Sequence, residues 1–282
     1  MNESILVLAS NGMVGWRLAP LLRARGLDVR AASRTPTHGQ ILFDWQLPQT
    51  HDAALDGADA IFLTPPAMEA AAAPMVGSLL ATAQRAGVQR VVLVSSIAVG
   101  FSDEPEDSDR RQIETLVRGS GMGWTIIRPT GFMQNFSEGF LLPGILQAGA
   151  VFSATGDGVV PFIDAADIAR VAEASLVEPQ HSGAVYDVTG PEALSLADMT
   201  SIIAEAAKRT IAYHTISAEA LAGSLKEAGV SDAYAAMLLR DQLAIARGEA
   251  AAVTDTVEKV TGRPPNSFRN FAAASASIWG PG

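Results

Sequence analysis

Ile5-Leu6-Val7-Leu8-Ala9-Ser10-Asn11-Gly12-Met13-Val14-Gly15 is the stretch on which the fold turns. Ile5–Leu8 shows no polar alternation, as expected of a strand buried on both faces of a parallel sheet. Met13–Arg25 reads as the helix that follows, ended by Gly26. Between strand and helix, the spacing Ala9-x-x-Gly12-x-x-Gly15 fits the demands of a dinucleotide turn. Ala9 is small enough for a tight turn, Gly12 lets backbone meet a pyrophosphate, and Gly15 lets helix pack on strand. Asn11 lies inside the same turn, and the free N–H groups near Met13 and Val14 would bind phosphate at the positive end of the helix dipole. A lone glycine pattern is a weak signal. Its position directly after a buried strand and before a helix is the supporting context, and a βα turn without a ligand is the competing reading.

The second strand, Val29–Ala32, ends in Ser33-Arg34-Thr35. A site for NAD usually places a carboxylate there, against the ribose 2′-hydroxyl. None is present. Arg34 can pair with a 2′-phosphate and the Ser33 hydroxyl can add a hydrogen bond, so NADP(H) is the preferred cofactor, with NAD(H) as the alternative. A solvated surface arginine is the plainer reading of Arg34.

The same texture continues outward. Ala60–Leu63 is a buried strand closed by Thr64-Pro65-Pro66, a helix runs from about Pro74 to Ala86, and Arg90–Ser95 is the next strand. Gln112–Arg118 reads as helix and Trp124–Arg128 as strand. Strand–helix alternation at this spacing predicts an α/β chain of Rossmann type, with a doubly wound parallel sheet. After Pro129 the pattern changes to a stretch rich in Phe, Leu and Gly, then a helix at Asp164–Leu176 and a returning strand at Ala184–Val188. Ser195 and Asp198 form a capping box, and from there to Val260 the pattern is mainly helical, apart from a strand near Ile211–Ile216. The expected organisation is a dinucleotide-binding domain over residues 1–190, whose 129–160 stretch lends loops to a substrate cleft, and a small, mainly helical substrate domain over 191–282.

Composition removes several function classes. With a formal net charge of −10 the surface lacks a phosphate-neutralising patch, which argues against nucleic acid and anionic membrane as partners. Cysteine is absent, so no disulfide, thiolate nucleophile or Cys-held metal is available, and a reducing cytoplasm is the simplest home. The apolar runs are strand-length, well short of the about 20 residues of a membrane span. His38, His51, His181 and His214 are scattered without metal-ligand spacing, and no metal is expected.

Acid–base chemistry is also restricted. The tyrosines are Tyr186, Tyr213 and Tyr234, the lysines Lys208, Lys226 and Lys259, and no Tyr stands four residues before a Lys. The Tyr/Lys acid pair of ordinary short-chain carbonyl reductases therefore cannot be built at its usual place, and no catalytic side chain is assigned. Ser95-Ser96 reads equally as the remnant of a catalytic serine or as a turn cap that hydrogen-bonds the cofactor.

Several longer segments resemble a known family: Phe43-Asp44-Trp45, Ala86–Ser96, Ile127–Phe136, Gly156–Asp164 with Asp167-Ile168-Ala169, and Val257–Pro265. They are similar to the NmrA-like atypical short-chain dehydrogenase/reductases, and within them to the group holding the ergot-alkaloid (festuclavine/agroclavine) dehydrogenases of secondary metabolism. The resemblance covers nearly the whole chain. It implies a nicotinamide near Thr64, Pro65, Ser95, Ser96, Pro129, Thr130 and Phe132, and a substrate against Ile97, Phe132, Met133 and Phe136. Two departures stand out: Ala9 replaces the first turn glycine, and Asp109–Glu114 lacks the His that many relatives carry before Glu.

Hydride delivered to a ketone leaves an alkoxide that needs a positioned proton donor, worth roughly 10²–10⁴ in rate. Delivery to an iminium carbon needs none, and a quinone or enone gives a delocalised anion that water protonates. The preferred expectation is thus an NAD(P)H-dependent reductase of an activated C=N, quinone or enone group in a bulky apolar molecule, acting as monomer or homodimer. A non-catalytic NADP(H) redox sensor and a cofactor-scaffolded isomerase or cyclase are the alternatives. Ordinary core is the plainer reading of the Phe132–Leu142 loop.

Overall fold

The computed structural model describes residues 3–66 and 72–280. Its first half runs β1 (Ser4–Val7), α1 (Gly15–Ala24), β2 (Asp28–Ser33), β3 (Ile41–Leu42), α2 (His51–Leu55), β4 (Ala60–Leu63), α3 (Ala72–Arg85), β5 (Arg90–Val94), α4 (Asp109–Arg118) and β6 (Gly123–Pro129). Next come β7 (Ala150–Ser153), β8 (Val159–Val160), α5 (Ala165–Val177), β9 (Ala184–Val188) and β10 (Leu194–Ser195). The chain then continues through α6 (Leu196–Ala207), β11 (Ala212–Thr215), α7 (Ala218–Glu227), α8 (Asp232–Ala246), α9 (Thr256–Thr261) and α10 (Phe268–Trp279).

Seven strands form one parallel sheet in the order β3-β2-β1-β4-β5-β6-β9. Every residue of β1 and β4 is buried. Helix α1 packs with α5, and α3 packs with α2 and α4. Leu6, Leu8, Ile61 and Leu63 share a core with Val76 and Leu79 of α3 and with Ile113 and Val117 of α4. A sheet covered in this way has no wet face, which is why its strands are written as unbroken apolar runs. The strand order reverses between β1 and β4, so a ligand crevice is expected outside their carboxyl ends.

Local polar groups set the helix starts. Helix α4 begins three residues before the sequence-based start at Gln112 because Ser108 caps it, accepting from the Arg111 N–H. Asp109 accepts from the N–H groups of Ala72 and Ala73, each at 3.1 Å, and so caps the first described turn of α3.

The contacts divide into two compact units, each discontinuous in sequence. The first holds the described residues up to Val99 together with Pro105–Arg128 and Ala165–Asp187; the second holds Gly100–Glu104, Pro129–Asp164 and the described residues from Val188 on. In the second unit β7 pairs with β11 in parallel and β8 with β10 antiparallel. The capping box forms: Ser195 Oγ accepts from the Asp198 N–H at 3.1 Å, and the Asp198 carboxylate accepts from the Ser195 N–H at 3.2 Å. Helix α6 packs along α10.

The centre of the second unit is aromatic. Phe136 lies 5.6 Å from Phe162 and 5.3 Å from Phe268, ring to ring, and Trp279 lies 6.0 Å from Phe271. Trp279 is fully buried, and its Nε1–H donates to the Phe136 carbonyl at 2.7 Å. Trp279→Phe keeps most of the buried area but leaves that carbonyl without its donor. The expected cost is about 1–2 kcal/mol, read as a lower urea midpoint at unchanged m value. A wild-type midpoint would show that the indole N–H contributes nothing. Among the described residues no helix is long and apolar enough to cross a membrane.

Candidate functional site

The loop after β1 is a tight turn closed by the Gly12 N–H on the Ala9 carbonyl at 2.8 Å. Ala9 itself sits at φ +50, in the left-handed region that favours glycine. Side chains are excluded on the inside of this turn. A Cβ on Gly15 would lie 2.3 Å from the Ala9 oxygen, and one on Gly12 3.1 Å from the same atom. No side chain caps α1, its first turn carries no acid, and the N–H groups of Met13 and Val14 meet no acceptor among the described residues. Arg17 donates back to the Met13 carbonyl at 2.6 Å, which sets a guanidinium beside the helix start. Open donors, uncovered backbone and a nearby cation fit an anionic ligand such as a pyrophosphate. Arg17, one turn after Met13, was missed by reasoning from the glycine pattern alone.

The end of β2 is tied to this turn. Ser10 Oγ donates to the Ala32 carbonyl at 2.9 Å, and Asn11 Nδ2 donates to Ser33 Oγ at 2.9 Å. Gln40 Nε2 donates to Asn11 Oδ1 at 2.6 Å. Arg34 is exposed and has no hydrogen bond or ion pair with the described residues. Asn11, Ser33 and Arg34 thus stand together beside Gly12–Gly15, as the sequence reading groups them. Gln40 completes the group without having been foreseen, because nothing in its spacing marks it.

Thr64 and Pro65 follow β4 and are half-buried, and Ser95 and Ser96 follow β5 on the same edge of the sheet. Ser96 Oγ accepts from the Ala98 N–H at 3.2 Å and so caps the short turn that carries half-buried Ile97. Ser95 is engaged differently. Its Oγ–H donates to Glu114 at 2.8 Å, while Arg128 forks onto the same carboxylate through Nε at 2.8 Å and a terminal nitrogen at 2.6 Å. Arg118 adds a contact at 3.0 Å. Burial pushes the Glu114 carboxyl up, but the hydrogen bonds from Arg128 and Ser95 and the two guanidinium charges outweigh it and hold the group below the usual glutamate range. The Glu114 hydrogen bond is in turn the main reason the Arg128 guanidinium is held above its ordinary value. In the sequence Glu114 figures only as the end of the Asp109–Glu114 departure and Arg128 only within the Ile127–Phe136 segment, and neither is assigned a role there.

Pro129 ends β6, and the segment after it belongs to the second unit. Thr130 is buried, its Oγ1–H donating to the Pro161 carbonyl at 2.5 Å. Phe132 is half-buried and bridges Ile163. Met133 and Phe136 are 1% and 0% exposed, Phe136 within the aromatic cluster, so of this segment Phe132 alone of the expected substrate contacts offers open surface.

Comparison with known proteins gives the same picture. The sequence profile of the NAD(P)H-binding family matches residues 10–179. The NAD(P)H azoreductase of Xenophilus azovorans is 33% identical over 98% of this chain and 99% of its own. Festuclavine dehydrogenase of Aspergillus fumigatus is 30% identical over 98% and 99%. Among solved structures, the NADPH-dependent quinone oxidoreductase of Escherichia coli in complex with NADPH superposes with a TM-score of 0.81 at 21% identity, covering 96% of this chain and 99% of its own.

Proposed function

We propose, for a chain that belongs to the NAD(P)H-binding family and within it to the NmrA-like atypical short-chain dehydrogenase/reductases, the reduction of an electron-poor C=N, quinone or enone group in a bulky apolar molecule. It is an NAD(P)-dependent oxidoreductase, with NADP(H) as cofactor and NAD(H) as the alternative. When bound, the dinucleotide supplies the hydride. The N–H groups of Met13 and Val14 are assigned the pyrophosphate, Ser33 and Arg34 the 2′-phosphate, and Thr64, Pro65 and Ser96 the nicotinamide end. Ile97 offers apolar surface to substrate.

The observation that carries this reading is the state of Ser95. Its single proton is given to a carboxylate held ionised by two arginines, so it is not available to an alkoxide. Tyr186 shares a hydrogen bond with His181 at 2.8 Å, and Tyr213 donates to the Gly156 carbonyl at 3.1 Å, so neither hydroxyl is idle. A site in which the described Ser95, Tyr186 and Tyr213 hydroxyls are so engaged suits substrates whose reduced form needs no acid, and leaves orientation as the main contribution of the protein. The azoreductase relative adds N=N to the groups worth testing.

NADPH binding by fluorescence, followed by 340-nm assays against quinones, enones, cyclic imines, an azo dye and simple aliphatic ketones, tests the proposal. Turnover is expected on activated acceptors and should be slower on the ketones by at least about 100-fold. Ketone reduction at comparable rates would overturn the proposal. Tight binding with no turnover on any acceptor would favour the redox-sensor or scaffold alternatives.

A further inference from the structure

We infer that Gln40 sets the choice between NADP(H) and NAD(H), as the latch that holds the Arg34–Gln40 loop on the phosphate turn. The inference rests on the reading that this turn holds the dinucleotide. Residues Arg34-Thr35-Pro36-Thr37-His38-Gly39 leave β2 without regular structure, and all six are exposed. No buried apolar contact from them fixes the loop, so its shape depends on polar ties.

Gln40 supplies most of these ties. On the loop side its Oε1 accepts from the Thr37 N–H at 2.8 Å and from Thr37 Oγ1 at 3.1 Å, while its backbone N–H donates to the Thr37 carbonyl at 3.0 Å. On the turn side its Nε2 donates to Asn11 Oδ1 at 2.6 Å and to Ser10 Oγ at 3.3 Å. One side-chain amide therefore joins the loop to both polar residues of the turn.

The effect passes through Asn11 to Ser33. With Asn11 Oδ1 fixed by Gln40, Asn11 Nδ2 is directed at Ser33 Oγ, 2.9 Å away, and at the Thr35 carbonyl at 3.4 Å. Ser33 Oγ also accepts from the Thr35 N–H at 3.2 Å. An oxygen that already accepts two N–H donors keeps its own proton for a further acceptor, and no described residue takes it. Beside it Arg34 projects a guanidinium that no described residue engages. A hydroxyl donor and an arginine presented together match a phosphate dianion, whereas a neutral ribose hydroxyl gains little from them. A latched loop presents this pair without an ordering cost at the moment of binding, and an unlatched loop must be ordered first. The penalty of removing Gln40 therefore falls on the cofactor with the extra phosphate.

The test measures dissociation constants of NADPH, NADH, 2′,5′-ADP and 5′-AMP for wild type, Gln40→Ala, Gln40→Glu and Arg34→Ala, alongside thermal melts without nucleotide. Gln40→Ala should weaken NADPH and 2′,5′-ADP by about tenfold and NADH and 5′-AMP by less than about twofold, at an unchanged melting temperature. Gln40→Glu should lose more, because a carboxylate cannot donate to Asn11 and repels the phosphate. Equal weakening of both cofactors would reduce Gln40 to a structural residue and overturn the inference. A Gln40→Ala ratio like wild type, with the ratio collapsed in Arg34→Ala, would overturn it while leaving the cofactor site in place. Wild type binding none of the four nucleotides would remove both.

Discussion

Gly15→Ala should abolish dinucleotide binding and cost roughly 3 kcal/mol of stability. The added methyl carbon would stand 2.3 Å from the Ala9 oxygen and 2.9 Å from both the Ala9 carbonyl carbon and the Ser10 Cα. All three are backbone atoms, so no side chain can swing aside, and the turn itself must move. It has little room to do so. Ala9 already occupies φ +50, at a cost of order 1 kcal/mol for a residue with a Cβ, and its carbonyl is fixed by the Gly12 N–H. Any shift carries the Met13 and Val14 N–H groups with it and displaces the donors at the helix start. Gly12→Ala, which meets the same oxygen at 3.1 Å, should be milder in stability. Urea melts and NADPH titration of both variants separate the two effects. A Gly15→Ala protein that binds NADPH as wild type does would show that phosphate is held elsewhere.

The parallel sheet could be read from the chain because covering both faces forces strands such as Ile5–Leu8 and Ala60–Leu63 into unbroken apolar runs, a pattern local to each strand. β3 and α2, of two and five residues, are too short to carry a period and were not foreseen. Helix α10 did have a signal: Ser267 caps it, accepting from the Asn270 N–H at 3.1 Å, and Phe268, Phe271 and Ala272 fall at helical spacing. The break at Gly262–Pro265 hid it. At the site, the tight turn at Ala9–Gly15 was legible because its residues are contiguous. Gln40 and the Ser95–Glu114–Arg128 group were not, since each joins residues that meet only after the sheet has formed. Phe136 shows the limit most plainly. An apolar residue in a loop reads the same whether it lines a pocket or fills a core, and here it is fully buried against Phe162 and Phe268.

Glu114→Ala is expected to destabilise the protein by about 3–5 kcal/mol, because it strips the partner from a guanidinium carried on β6, an interior strand of the sheet. The Glu114 side chain is 2% exposed, and Arg128, at 22%, has its nearest other acid in Asp187 at 4.0 Å. Replacing both partners, as in Glu114→Leu with Arg128→Met, should cost much less, since the desolvation of two charges disappears together with their attraction. The pair also fixes an acid dependence. Its folded carboxyl titrates below the ordinary glutamate value of 4.5, so the folded state takes up a proton later than the unfolded chain does. The stabilisation is complete above that value and is lost as pH falls from it through the folded value. Wild-type urea midpoints should therefore drop in this window, and Glu114→Gln, with nothing to protonate there, should drop less. Parallel curves for the two proteins would mean that the pair contributes no pH-dependent stability. Because the same carboxylate holds the Ser95 proton, Glu114→Gln also bears on chemistry: a neutral amide binds that proton more weakly, and ketone turnover that appears only in this variant would identify Glu114 as the group that keeps Ser95 from acting as an acid.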